Sequence, residues 1–237
     1  DPVTVKPVAI MDGMVITAMR TAAAAGVAAK YLAPKGAKTA GFVGAGVIGR
    51  TMIMALKQVI PGLEEIRLCD LKLEKAEKLA AEFEGIIKVI PTDNVEEALS
   101  GVDIIATMTT SRKPIVKAEW VKKGAMIIQM SSCEVESAAV KKAHKIVVDS
   151  WDQMKENELS VLSQMVKAGD LDEQDIWTLN QVVCGKKPGR ENDDEITMFS
   201  SRGMGCLDII IGDYLYKEAL KKGLGQKLVL WDEAKGV

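Results

Sequence analysis

The chain has 237 residues, 48% hydrophobic and 27% charged, with 31 Lys and Arg against 33 Asp and Glu for a net charge of -2. That length suits one large or two modest globular domains, and the balanced charge argues against a surface that binds nucleic acid or anionic membranes electrostatically, leaving small molecules or other proteins as partners. With aromatics at 4% and twelve Met, the core has to come from Ala, Val, Ile, Leu and Met, as in helix-packed α/β proteins.

In chain order, residues 5–10 read as a strand, closed by a turn at Asp12-Gly13. The Ala-rich stretch 16–32 carries little charge, and Ala is the strongest helix former, so a long, closely packed helix is predicted, ended by Pro34 and Gly36. From Lys38 onward, short β-branched runs alternate with amphipathic stretches. They read as strand 39–43, helix 48–60, strand 65–69, helix 73–83, strand 86–90, helix 95–99, and strands 102–106, 125–129 and 145–149. Apolar runs bounded by helices are what a parallel sheet covered on both faces requires. Six such strands suffice for a doubly wound domain. Residues 195–199 look like a further strand and 204–222 like a helix stopped by Gly223. Both stand outside the six-strand series, so the two chain ends are expected to build a second, smaller domain, with the polar stretch 186–194 as linker.

Cys69, Cys133, Cys184 and Cys206 are widely spaced without a CxxC pair, and His144 is the only histidine. No metal site is expected, and the cysteine pattern reads as a reduced, cytoplasmic chain. No run approaches the ~18 apolar residues of a membrane span, and Asp1-Pro2-Val3-Thr4 has neither the basic nor the apolar region of a targeting peptide. Any Ser-His-Asp or Cys-His relay would have to use His144, which sits in the basic stretch Lys141-Lys142-Ala143-His144-Lys145. A solvated helix-end histidine is the reading there, and hydrolase triads are set aside.

Gly44-Ala45-Gly46-Val47-Ile48-Gly49 fits G-x-G-x-x-G, a weak signal by itself in a chain with 20 glycines. Here it follows a predicted strand, opens a predicted helix, and is followed by Asp70 at the end of the second strand. Those are the conditions of the dinucleotide fingerprint. Gly44 permits the tight turn, Gly46 lets backbone approach the pyrophosphate, Gly49 allows the helix to lie on the strand, and the helix amides near Val47 and Ile48 supply donors. The Asp70 carboxylate suits ribose hydroxyls and repels a 2′-phosphate, so NAD(H) is favoured over NADP(H), with Lys72 pulling the other way.

Several segments resemble the ornithine cyclodeaminase/mu-crystallin family in order and spacing. They are Ala9-Ile10-Met11-Asp12-Gly13, Thr17-Ala18-Met19-Arg20-Thr21-Ala22-Ala23, the glycine motif, and Thr109-Thr110-Ser111-Arg112-Lys113-Pro114. Gly124-Ala125, Val147-Val148-Asp149-Ser150, and Glu195-Ile196-Thr197-Met198-Phe199 through Ser201 and Gly203 to Asp208 continue the match over essentially the whole chain. The resemblance implies an NAD(P)-dependent Rossmann domain plus a dimer-forming substrate domain made from both chain ends. It also implies hydride transfer at the Cα–N bond of a small amino acid or imine, as in ornithine cyclodeamination, alanine dehydrogenation or ketimine reduction. By the same resemblance, Arg20 matches the arginine at the substrate carboxylate, a role its planar fork suits. Val47 and Ile48 match the pyrophosphate contacts and Asp70 the ribose acid, while Thr109 and Ile127-Ile128-Gln129-Met130 match cofactor-lining loops. Ser201 matches a neighbour of the nicotinamide and Arg202 a neighbour of the substrate.

Two departures stand out. Where the cyclodeaminases carry an Asp in a Gly-rich loop, this chain has Ser131-Ser132-Cys133-Glu134-Val135-Glu136, with Cys133 at the matching place. Glu134 is the nearest carboxylate that could serve as acid or base, with a solvated helix-start glutamate as the alternative, and hydride transfer needs no Cys133 nucleophile. The family's chains are also longer at the N-terminus by roughly a hundred residues, an appreciable part of a domain. The chain is therefore expected to be truncated, processed, or completed by a separate polypeptide. The expected fold is α/β: a Rossmann-type doubly wound parallel sheet over 19–194, plus a partial α+β substrate and dimerisation domain from 1–18 and 195–237. Two functions stay open: an NAD-dependent amino-acid dehydrogenase or cyclodeaminase-like enzyme, homodimeric or completed by another chain, and a non-catalytic dinucleotide- or ligand-binding protein of the mu-crystallin type.

Overall fold

The computed structural model describes residue 1 and residues 3–229. Helix α1 (Met14–Leu32) is the predicted Ala-rich helix, and its small side chains let it lie close on α2 (Val47–Val59), where Gly26 would place a Cβ 3.4 Å from that of Ala55. The alternation that follows is β1 (Thr39–Val43), β2 (Glu65–Cys69), α3 (Leu73–Glu82), β3 (Lys88–Thr92), α4 (Val95–Leu99) and β4 (Ile104–Thr107). Next come β5 (Met126–Gln129), α5 (Ser137–Val140), β6 (Lys145–Val148), α6 (Trp151–Met154) and α7 (Val161–Ala168). The described chain finishes with β7 (Ile176–Thr178), α8 (Leu179–Val183), β8 (Thr197–Ser200) and α9 (Gly205–Lys221).

All strand pairs are parallel, and the strands form one sheet of eight in the order β3-β2-β1-β4-β5-β8-β6-β7. Apolar side chains cover both faces, as the unbroken apolar runs require. On one face Ala25, Ala28, Ala29 and Leu32 of α1 and Met52, Ile53 and Leu56 of α2 meet Phe42, Ile104, Ile128 and Phe199. On the other, Leu99 of α4 and Leu162 and Met165 of α7 meet Ile105, Ile127, Val148 and Met198. The edge strand β3 includes Pro91, a residue that cannot donate to a ladder and is tolerated at a sheet margin.

Several expectations are corrected. The segment at 195–199 does not leave the sheet: β8 is inserted between β5 and β6, with Phe199 paired to Ile128 and Val147, and Thr197, Met198, Phe199 and Ser200 all fully buried. Burial of all four of its residues fits a central strand covered on both faces, and the sheet has eight strands rather than six because β7 was also missed. The stretch 186–194 is no free linker. Arg190 Nε donates to Leu32 O at 2.8 Å, and the buried Lys145 ammonium donates to Gly189 O at 2.5 Å and pairs with Glu191 and Glu195. Residues 5–10 form no strand: among the described residues none pairs with them, and Val5 and Ile10 are 85% and 89% exposed. The Asp12-Gly13 pair instead starts α1, Asp12 Oδ1 accepting from Met14 N at 2.8 Å. Strand β3 begins at Lys88 rather than at 86 because residues 84–86 lie in a turn, from which Ile87 enters the core. His144 is exposed, as expected, yet its Nδ1 accepts from Ile196 N at 3.0 Å and helps dock β8.

Candidate active site

From β1 the chain moves outward to β2 and β3, then returns to β4 on the other side of β1. Loops leaving the carboxyl ends of β1 and β4 therefore diverge, and the crevice between them is the place where open α/β sheets bind ligands. The glycine motif fills the β1 side of it. Gly44 has φ +115°, and a Cβ there would stand 2.6 Å from Met108 O; at Gly49 a Cβ would stand 2.2 Å from Gly44 O. Main chain occupies those spaces, so both positions need glycine for the turn to close. Gly46 differs: a Cβ there would meet nothing within 4 Å. That side is open, and the N-terminus of α2 behind it has no side-chain cap and no acidic residue in its first turn. Val47 is 53% exposed, and among the described residues the Val47 and Ile48 amides have no hydrogen-bond partner. An uncapped helix N-terminus behind a bare backbone is an anion cradle.

Asp70 follows β2 beside this cradle. Its Oδ2 accepts from Ala45 N at 2.9 Å and its Oδ1 from Lys72 N at 3.1 Å, which ties the carboxylate to the glycine loop and leaves lone pairs for further donors. Asp70 and burial together push the neighbouring Cys69 thiol up to about 11, burial being the larger cause, so this cysteine stays protonated and inert.

On the β4 side, Thr109 lies in the loop that follows β4, and Glu134 is not placed as the sequence suggests. Neither a solvated glutamate nor an acid or base facing the crevice, it is fully buried. Its Oε1 accepts from Thr109 N at 2.8 Å and from the Thr109 hydroxyl, and its main-chain carbonyl accepts from Ile115 N and Val116 N. Residue Val135 enters the core, which draws Glu134 inward with it and makes its carboxylate an internal brace for the loop after β4. Cys133 donates from Sγ to Ser111 O at 3.3 Å. Burial and the Glu134 charge raise its thiol, with Arg112 partly opposing, which removes it as a nucleophile.

Ile127 and Ile128 are also corrected. Alternate residues of β5 enter opposite layers, so both side chains sit in the two cores at 0% exposure and cannot line a ligand. Gln129 is equally buried and bridges strands, its Nε2 donating to Ser200 Oγ at 3.0 Å and its Oε1 accepting from Val135 N at 3.0 Å. Met130 is half-buried at the rim of the α1 face. Thr107, Gln129 and Ser200 are register partners across β4, β5 and β8. They form a buried polar row at the carboxyl end of the sheet, where Thr107 Oγ1, Ser131 Oγ and Glu134 Oε2 are buried without a partner in the described structure.

Insertion of β8 brings residues 201–203 to the same end. Ser201 is buried and its hydroxyl donates to Asp149 Oδ2 at 2.8 Å. Arg202 presents an exposed side chain while its amide donates to Asp149 at 3.1 Å. Arg20, on α1, comes against this segment: a Cβ at Gly203 would stand 2.6 Å from Arg20 Nη1. Its Nε pairs with Asp208 of α9 at 3.1 Å, and Thr17 Oγ1 donates to the same carboxylate at 2.9 Å. Burial pushes Asp208 up, but Thr17 and Arg20 outweigh it and hold the carboxyl below its ordinary range. The two terminal nitrogens of Arg20 make no hydrogen bond among the described residues, so the fork is available to an anionic group. Among those residues no cluster of three or more His, Cys, Asp or Glu could hold a metal ion, and no helix is long and apolar enough to cross a membrane.

The model of the ornithine cyclodeaminase/mu-crystallin family matches residues 1–223. The chain belongs to that family. It is 37% identical over 233 residues to an alanine dehydrogenase of Archaeoglobus fulgidus, covering 96% of this chain and 71% of that one. The structure of Thermococcus litoralis Delta(1)-pyrroline-2-carboxylate reductase in complex with NADH and L-proline superposes with a TM-score of 0.87 at 38% identity, covering 96% of this chain and 72% of that one. An archaeal alanine dehydrogenase dimer with bound NAD gives 0.88 at 35% identity, covering 98% and 72%. Within this family member, two site residues escaped the sequence reading. Asp149 and Asp208 lie inside motifs that carried the resemblance, but their partners at 201–203 and at 17–20 are far away in sequence. A polar residue closing the apolar run 146–148 was the available sign for Asp149.

Proposed function

We propose that the chain is an NAD(H)-dependent oxidoreductase that moves a hydride at the Cα–N bond of a small amino acid or imine. The observation that carries this reading is the open face at Gly46 in front of the uncapped N-terminus of α2, with Arg20 and residues 201–203 also at the sheet's carboxyl end. The cradle fits a pyrophosphate: it offers free amides, a positive helix end and no side chain in the way. Asp70 favours ribose hydroxyls over a 2′-phosphate, which supports NAD(H) rather than NADP(H). When bound, the nicotinamide supplies the hydride chemistry. The chain's own part is positioning: Val47 and Ile48 amides hold the phosphates, Asp70 the ribose, and the Arg20 fork the substrate carboxylate.

Exposed apolar side chains on residues 3–19 and on α9, among them Val15 at 66%, Ile209 at 73% and Tyr214 at 63%, support a partner over this surface, either a second copy or a separate polypeptide. The four free cysteines suit a cytoplasmic setting. A second reading, a non-catalytic dinucleotide- or ligand-binding protein, draws support from the burial of Glu134 and the raised Cys133 thiol, which leave neither as an acid or base at the crevice.

One experiment separates them. NADH is titrated by fluorescence, then pyruvate with ammonia, ornithine and cyclic imines are supplied. Wild type is expected to bind NADH and turn over one of them. Gly46→Val, which adds atoms only to the open side, is expected to keep the wild-type Tm and lose binding. Arg20→Ala is expected to lower kcat/KM by about 100-fold, the scale of a lost charged hydrogen-bond pair. Binding without turnover favours the second reading, and unaltered NADH affinity in Gly46→Val removes the assigned cradle.

A further inference from the structure

Asp149 follows β6 and is 8% exposed, yet its carboxylate is crowded with donors. Ser150 N donates to Oδ1 at 2.8 Å, while Oδ2 accepts from Ser201 Oγ at 2.8 Å, Arg202 N at 3.1 Å and Gly203 N at 2.6 Å. A buried carboxylate is costly unless its oxygens are hydrogen-bonded, and here three of the four donors come from one short segment, 201–203. The bonds therefore hold the anion and fix the segment at the same time. The segment has little freedom of its own to adopt this path: Gly203 has φ +93°, a conformation that L side chains rarely adopt, and it runs directly against the Arg20 guanidinium. Behind it, Ser200 Oγ accepts from Gln129 and so joins the segment to the polar row of the central strands. The 201–203 main chain is thus held from below by Asp149 while its other side meets the arginine.

We infer that Asp149 is a positioning residue: it presets residues 201–203, and through Gly203 the setting of Arg20, for the nicotinamide and substrate end of the site. The inference rests on the dinucleotide reading above. Asp149 makes no hydrogen bond to the glycine cradle, and β4, β5 and β8 lie between β6 and β1, so its influence is expected at one end of the ligand only. Asp149→Asn keeps the shape but replaces one oxygen by an NH2 group, which has no lone pair to offer. With its oxygen at the Oδ1 place the three donors of 201–203 lose their Oδ2 acceptor; with it at the Oδ2 place they keep only a neutral, weaker acceptor and Ser150 N loses its own, so the charge-assisted hold on the segment is lost either way.

The test compares two ligands of the whole chain, NADH and ADP-ribose, which share the adenosine diphosphate end and differ in the nicotinamide. Asp149→Asn is expected to raise the Kd for NADH about ten-fold, the scale of one lost charge-assisted bond, while the Kd for ADP-ribose stays within about two-fold of wild type. Amide hydrogen exchange at residues 202 and 203 is expected to accelerate with no ligand present, while that of β1 does not change. A fall in affinity equal for both ligands, or for neither, overturns the role of Asp149 alone. Failure of wild type to bind either ligand overturns the dinucleotide reading and this role with it. If Asp149→Asn does not fold, Asp149→Glu, which keeps the charge but displaces it by a methylene, is expected to show the same split between ligands, and equal Kd values for both relative to wild type overturn the inference.

Discussion

The two halves of the sheet finish their carboxyl ends in different materials. Beside β1 and β2 the surface is main chain: a glycine loop, helix amides, and one carboxylate tied to that loop. Beside β5, β8 and β6 it is loop held from below by side chains, those of Gln129, Glu134, Ser200 and Asp149. A main-chain cradle needs shape and the exclusion of side chains. A loop held by side chains needs polar groups at fixed places, and each buried polar atom among them needs a partner. The first half should therefore fail when a carbon is added, and the second when an oxygen is removed.

The largest effect is expected in the first half. Gly49→Ala puts a methyl group 2.2 Å from Gly44 O, a carbonyl that cannot swing aside because the turn itself is made of it. Separating α2 from β1 is expected to cost about 3 kcal/mol or more, lowering Tm by roughly 6–12 °C for a chain of this size. NADH binding should disappear with it. A variant with wild-type Tm would show that the loop has slack, and the contrast with the tolerant Gly46 position would collapse.

In the second half, Glu134 gives the matching test by subtraction. Glu134→Ala removes a fully buried side chain and deprives Thr109 N of its acceptor. The lost bonds and the void together are expected to cost about 2–3 kcal/mol in urea unfolding. Glu134→Gln keeps an oxygen for Thr109 and should cost less than about 1 kcal/mol. Because the group is a brace, the Gln variant should leave the pH–rate profile unchanged apart from its height. Loss of one limb of that profile would restore Glu134 as the acid or base.

The same contrast explains what could be read from the chain. The strand and helix alternation and the glycine motif with Asp70 were legible because each is a local pattern with a local cause, whereas Arg20 was singled out only by the family resemblance. Backbone that must turn sharply calls for Gly44, and an apolar run covered on both faces calls for Ile104 and Ile105. The position of β8 was not legible: 195–199 has the composition of any buried strand, and only pairing with β5 and β6 tells where it goes. Asp149, Asp208 and the true orientation of Glu134 were hidden for the same reason. Their partners lie 52–54, 191 or 188, and 25 residues away. Ile127 and Ile128 were misassigned because matching a loop in sequence says nothing about which residues of its strand are already committed to the core.

A further effect, smaller than that of Gly49→Ala, belongs to the opposite end of the sheet, where a carboxylate serves the fold. Asp103 Oδ2 accepts from Lys38 N, Thr39 N and the Thr39 hydroxyl, each at 2.9 Å, and its Oδ1 pairs with Lys122 at 2.7 Å, which fastens the start of β1 to the start of β4. Burial pushes this carboxyl up, but Lys122, the two amides and the hydroxyl more than offset it and hold it down at about 2. A folded-state value below the unfolded one means that folding favours the ionised form. The contribution is therefore complete above about pH 4 and is lost as pH falls toward 2, with a full size of about 2 kcal/mol. Asp103→Asn should destabilise by about that amount at pH 6, and the gap from wild type in urea midpoint should close progressively between pH 4 and pH 2. A gap that stays constant over that range would mean that the Asn variant loses shape rather than charge, and that the fastening of β1 to β4 owes nothing to the ionised carboxylate.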